Sequence, residues 1–161
     1  MRQQVKWEDE RGLAMNGGAR RLKETTRDQA MRLLGSVQVG RIGFTSRALP
    51  AIRPVTHILD KGHLIIRSLG DPAITNAAST ERGVVVAYEA DDIDVVSGSG
   101  WSVLVVGLAR LIEDPQEAAR YRQELRALEP GGTGPLIRIY PELISGFELV
   151  SEDLQAPSAA H

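Results

Sequence analysis

The sequence has no cysteine. That excludes a disulfide framework, a thiolate nucleophile and cysteine-ligated zinc, and leaves any metal to three scattered histidines. No apolar run approaches the about 20 residues of a membrane-spanning helix, and the start MRQQVKWEDERG lacks the apolar segment of a signal peptide. Charge of one sign is missing as well. Nineteen Lys and Arg against 21 Asp and Glu give a net charge of -2, so no basic field draws the chain to nucleic acid or an anionic membrane surface. Motifs are absent too: there is no GxxxxGK[ST] and no GxSxG, and Gly98-Ser99-Gly100 leads into a strand rather than from a strand into a helix. P-loop, dinucleotide-fold and serine-hydrolase readings therefore have no support. What is present is 161 residues with 42% hydrophobic content, enough to bury one core. These features describe a single-domain globular protein, expected in the cytoplasm, without a nucleic-acid or membrane partner.

Residues 1 to 24 are polar and irregular, with Asn16-Gly17-Gly18 and the charged run Arg20 to Glu24, and read as a mobile arm that can wrap a partner subunit. The domain is expected over 25 to 155, and residues 156 to 161, APSAAH, read as a frayed tail. Thr26 and Gln29 have the spacing of a capping box for a short helix carrying Ala30, Met31, Leu33 and Leu34, stopped by Gly35. The pattern then turns to strands at Val37 to Thr45, Ala51 to Leu59 and His63 to Ser68. Their links are too short for parallel crossovers, so the strands form an antiparallel meander. Asp71 as N-cap and Pro72 at the first helical position open a helix over 72 to 80. Val84 to Glu89, a loop with Asp91, Asp92 and Asp94, and the strand Trp101 to Glu113 follow. A second helix begins at Asp114-Pro115, with Ala118, Tyr121, Leu125 and Leu128 on one face, and Leu136 to Tyr140 and Leu143 to Leu149 close the sheet, bent at Pro141. The expectation is a mainly β (α+β) fold: a six-stranded, mostly antiparallel, closed or partly closed barrel with peripheral helices.

Within this frame the sequence marks no acid, base or nucleophile, so the catalytic residues are unknown. His57 and His63 on neighbouring strands, with Asp60, have the residue types of a metal site. Accidental placement on strands joined by a tight turn is the favoured account of them, and no metal is expected. Asp91, Asp92 and Asp94 read as a solvated loop.

The order and spacing of LPAIRPVTHILDKGHLIIRSLG, GVVVAYEADDID, GWSVLVVGLARLIEDP and IRIYPELISGFEL are similar to those of the pyridoxamine 5'-phosphate oxidase-like, flavin-binding split-barrel family. The likeness is strongest to its small members related to nitroimidazole reductases, and it covers about residues 26 to 150. It implies a six-stranded split barrel that pairs as a homodimer, with flavin mononucleotide (FMN) in a groove between subunits. Residue by residue, it implies that Arg53 contacts the flavin phosphate and that the backbone of Pro54, Val55 and Thr56 lies against the isoalloxazine ring. By the same likeness Arg67 and Ser68 reach phosphate or ribityl oxygens, and Trp101 and Ser102 approach the cofactor from across the dimer. Arginine's planar fork suits a phosphate, and each charge-assisted hydrogen bond is worth about 1.5–3 kcal/mol.

One departure falls between Leu64 and Ser79. Where the family carries Ser or Arg followed by Lys, this chain has Pro72 and Ala73, and Asp71 precedes them. Two readings of the turn compete: an anion cradle resting on Arg53 and Arg67, or a helix start whose N–H groups Asp71 itself occupies. The implied activity is FMN-dependent redox transfer between reduced nicotinamide or deazaflavin and a small organic acceptor, with the cofactor carrying the chemistry. The alternative is a non-catalytic dimer holding flavin, deazaflavin or haem. The Arg-containing C-terminal segment of authentic pyridoxamine phosphate oxidase is not evident in FELVSEDLQAPSAAH.

Overall fold

Alternating apolar and polar residues along each strand give the sheet one face to bury, and the chain buries it by curling the sheet on itself. The computed structural model describes residues 20–68, 72–128 and 131–151. Its elements are β1 (Arg20–Glu24), α1 (Arg27–Gly35), β2 (Val39–Ser46), β3 (Leu49–Asp60), β4 (His63–Arg67), α2 (Pro72–Ala78), β5 (Val84–Ile93), β6 (Gly100–Leu111), α3 (Pro115–Arg126) and β7 (Leu136–Ser151). The strands form one antiparallel sheet in the order β1-β7-β4-β3-β2-β5-β6, and β6 returns to pair with β7, closing the barrel. The meander, the peripheral helices and the barrel are as the sequence implies. The seventh strand is β1, which lies in the segment read as a mobile arm: Arg20–Glu24 pairs in register with Phe147–Ser151. The rest of that arm, the tail at 156 to 161 and Asp71 lie outside the described residues.

Inward residues of six strands make the core, with Ile42, Tyr88, Leu64, Val103, Val105 and Ile139 all at or below 1% exposure. Ala30 and Leu34 of α1 and Ile74 and Ala78 of α2 cap it. The capping box of α1 is present: the Gln29 amide N–H donates to Thr26 Oγ1 at 3.3 Å, and the Thr26 N–H donates to Gln29 Oε1 at 2.9 Å. Helix α3 lies outside the barrel, where Ala118, Tyr121 and Leu125 cover Ile65 and Leu136. Its N-cap Asp114 accepts from the Gln116 N–H at 3.0 Å. At the centre of the barrel, Tyr88 reaches so close to β2 that any Cβ at residue 40 would meet its hydroxyl, which makes Gly40 a steric requirement.

The barrel is split along β3. Leu49–Thr56 is laddered to β2, but pairing with β4 covers only His57–Asp60. Beyond His57, toward the β2–β3 hairpin, no described strand borders that edge, and α2 crosses beside it. The hairpin turns through Arg47 and Ala48 at φ 51° and 62°. Both are left-handed, as a two-residue type I′ turn requires, in residues that adopt that conformation at a cost of about 1–2 kcal/mol each.

Candidate functional site

Arg53 stands on the unladdered half of β3. The residue is exposed, and its Nη1–H donates to the Ile52 carbonyl at 2.9 Å. Pro54 is exposed, whereas Val55 and Thr56 are buried at 6% and 7% exposure. Side-chain parity separates the two arginines. Arg53 pairs with the core residue Ile42, and His57, on the same face, pairs with Ile66. Arg67, one residue beyond Ile66, therefore projects from the opposite face, beside Leu136 under α3. The two guanidinium groups do not converge within one chain.

Arg67 is 1% exposed and Ser68 2%. A Cβ at residue 132 would collide with the Arg67 guanidinium, so the 131–135 segment closes over this side chain only because glycine stands there. The Ser68 N–H donates to the Pro135 carbonyl at 3.0 Å, and its hydroxyl shares a 2.7 Å hydrogen bond with that of Thr75 on α2. Arg67 and Ser68 thus form the packed floor behind the split and fix α2 and the 131–135 segment to β4. Among the described residues Arg53 is the exposed arginine on the unladdered half of β3.

Trp101 and Ser102 are half-buried and lie elsewhere on the barrel. Trp101 packs against the core, and Ser102 sits between Asp91 and Phe147 on the outer face. Three strand spacings separate β6 from β3, about 14 Å along the sheet. One chain therefore cannot bring Ser102 to Arg53. Between them runs an uninterrupted apolar row across five strands: Ile52, Gly43, Ala87, Val106 and Leu143. Its ends, Ile52 and Leu143, are 66% and 69% exposed, and Val85, Leu104 and Phe147 extend the patch. Beside the row Arg41 Nη1 pairs with Glu89 Oε2 at 2.9 Å and Asp91 Oδ2 at 3.4 Å. The Glu89 carboxyl is pushed above its ordinary range, by burial first, although Arg41 pulls it the other way.

Two further groups of titratable residues have structural roles. The Tyr88 hydroxyl and His57 Nδ1 are 2.5 Å apart, and His57 Nε2 lies 2.8 Å from the Leu34 carbonyl, all within the core. Outside, Tyr121 donates to Asp60 Oδ2 at 2.6 Å, Arg120 pairs with the same oxygen at 3.0 Å, and Arg138 pairs with Glu117. This network holds α3 to the β3–β4 hairpin and β7. His63 pairs with Asp60 across the ladder, on the face opposite His57. Among the described residues no group of three or more His, Asp or Glu is placed to hold a metal ion, and no helix is long and apolar enough to cross a membrane.

Arg41 and Arg47 are the charged residues near the split and its outer face that sequence reasoning passed over. The signal for Arg41 was there: it lies between the inward Gly40 and Ile42 and must project outward. For Arg47 there was none beyond the brevity of the Ser46 to Pro50 link.

The family model for pyridoxamine 5'-phosphate oxidase matches residues 26–147. An uncharacterized protein of Mycobacterium tuberculosis, Rv0080, is 44% identical over 136 residues, spanning 83% of this chain and 90% of that one. Among solved structures, a FAD-binding protein of Mycobacterium smegmatis superposes with a TM-score of 0.60 at 26% identity, covering 80% of this chain and 98% of its own. A conserved protein of unknown function from Corynebacterium diphtheriae, DIP1874, gives a TM-score of 0.63 at 25% identity over the same shares.

Proposed function

The chain belongs to the pyridoxamine 5'-phosphate oxidase family, and from that premise we propose that it is a flavin-dependent oxidoreductase acting on a small organic molecule. The flavin lies between two copies of the chain. The observation that carries this reading is the split itself. An unladdered strand edge bearing an exposed arginine, bordered by an apolar face with Ile52 66% exposed, supplies one half of a cofactor groove. The other half must come from outside the chain, because Ser102 stands three strands away. A second copy is the partner that supplies it: the row from Ile52 to Leu143 is apolar throughout and can face its own image across a two-fold axis. The M. smegmatis neighbour, which binds FAD, supports a flavin as the ligand.

The residues present fit an FMN moiety at its phosphate end. Arg53 supplies the accessible guanidinium, and the Ser68–Thr75 hydroxyl pair, together with the buried Arg67, holds the wall beside it in place. The Pro54–Thr56 backbone runs along the ring, and Trp101 and Ser102 of the second copy close over it. When bound, the flavin supplies hydride or electron transfer. The chain supplies binding, orientation and exclusion of water, which accords with the lack of an acid–base pair at the split among the described residues.

The visible absorbance of the purified full chain, before and after addition of reduced nicotinamide nucleotide, tests this. Flavin bands that bleach support the oxidoreductase reading. A flavin that neither reduced nicotinamide nor reduced deazaflavin bleaches supports a carrier instead, and failure to take up flavin on soaking removes both. Arg53→Ala is expected to weaken FMN binding about tenfold or more, from the loss of charge-assisted hydrogen bonds. Unchanged affinity would remove Arg53 from the site.

A further inference from the structure

Between the end of α2, the link from β6 to α3 and the outer face of β7 lies a cleft of about 400 Å3, within the range of about 300–1,000 Å3 typical of small-molecule sites. It is lined by two arginines that the ladder sets directly opposite each other, Arg110 on β6 and Arg138 on β7. Like charges in that relation repel, and the groups around them offset the repulsion only in part. Arg138 Nη2 donates to Glu117 and, at 3.3 Å, to the Tyr121 hydroxyl, while its Nε–H is buried without an acceptor. Arg110 is exposed and has no ion pair among the described residues. A carboxylate lying between the two guanidinium groups removes the repulsion and gives Arg110 an acceptor.

The α2 side of the cleft has the reverse polarity. Ser79 Oγ already donates to the Asn76 carbonyl at 2.8 Å, and Thr80 Oγ1 to the carbonyls of Ala77 and Gly83, each at 3.2 Å, so toward the cleft both hydroxyls can only accept. Glu81 and Glu113, both exposed, line it as well. The rest of the lining is apolar or aromatic: Ala78, Leu111, Ile112 and Tyr140. A simple anion would meet Glu81 and Glu113, and a simple cation would meet the two arginines. A metal ion is no better served, since no group of three or more His, Asp or Glu among the described residues is placed to hold one. A small molecule with both charges and an apolar body matches every part of the lining. We infer that the cleft binds a free α-amino acid with an apolar side chain. Its carboxylate lies between Arg110 and Arg138, its ammonium on the acceptors of Ser79, Thr80, Glu81 and Glu113, and its side chain against Leu111, Ile112 and Tyr140. The site shares no lining residue with the flavin groove and stands without the flavin reading.

Isothermal titration of the full chain with L-leucine, and with isocaproate and isoamylamine, which each lack one of its charges, tests the inference. Leucine is expected to bind with a Kd below about 1 mM, and each analogue at least about tenfold more weakly. Arg110→Gln changes an exposed side chain outside the core and is expected to weaken leucine at least about tenfold. Glu81→Gln combined with Glu113→Gln, also at exposed positions, is expected to weaken leucine while isocaproate binds as well as before or better. Absence of leucine binding at millimolar concentration, isocaproate binding as tight as that of leucine, or leucine affinity unchanged in Arg110→Gln would overturn the site.

Discussion

His57 can occupy the barrel core only as a neutral ring. The Leu34 carbonyl can only accept, so Nε2 carries the proton, and Nδ1 accepts from the Tyr88 hydroxyl. Burial holds the imidazole below its ordinary pKa and pushes the Tyr88 hydroxyl up. The consequence for stability has a definite sign. Below about pH 6.5 the unfolded chain protonates this ring while the folded chain does not, so the unfolded state binds more protons and stability falls with pH toward the depressed folded value. Above that range the ring contributes no pH dependence. The thermal midpoint is expected to drop between about pH 6.5 and pH 5, and to drop less in His57→Gln; equal slopes in the two proteins would refute the assignment. Tyr88→Phe leaves a buried acceptor without its donor and is expected to cost about 1–3 kcal/mol in urea unfolding. Sequence alone offers His57 as a possible metal ligand, because the ladder register that turns it inward, away from His63, is set by tertiary pairing.

Among the elements, the helices were the most legible because their signals are local. The Thr26–Gln29 box and the Asp114-Pro115 start appear where the spacing places them, and Ala118, Tyr121 and Leu125 form the buried face expected of α3. Asp114→Ala is accordingly expected to lower stability by about 1 kcal/mol through loss of the cap, measured as a shift of the urea midpoint at unchanged slope. The strand β1 was missed for the opposite reason. RRLKE has no alternating pattern and all five residues are exposed, so its conformation comes from pairing with β7 rather than from its own composition. The bend expected at Pro141 corresponds to the register shift between Val106 and Gly107 on the paired strand, and it leaves β7 a single strand of 16 residues.

For the molecule as a whole, the uncovered row from Ile52 to Leu143 has its own consequence. An exposed apolar band across five strands is the kind of surface that association removes from water. Sedimentation equilibrium is expected to give twice the chain mass. Leu143→Arg, which places a charge at the edge of the row and far from the core, is expected to yield monomer of unchanged thermal stability and weakened flavin binding. Flavin affinity that persists in the monomer would mean that one chain completes the groove, contrary to the separation of Ser102 from Arg53.

Strand alternation, the helix caps, the antiparallel meander and the family resemblance are all legible along the chain, because each depends on spacing or on neighbouring residues. So is an arginine on the second strand of the meander. Which side of the sheet each arginine serves was decided only by tertiary pairing: the register of His57 with Ile66 sends Arg67 under α3 and leaves Arg53 at the split. The open edge of β3 has the same origin. It exists because β4 stops pairing at His57 and α2 packs beside the gap, an arrangement of residues far apart in the chain that no local pattern specifies.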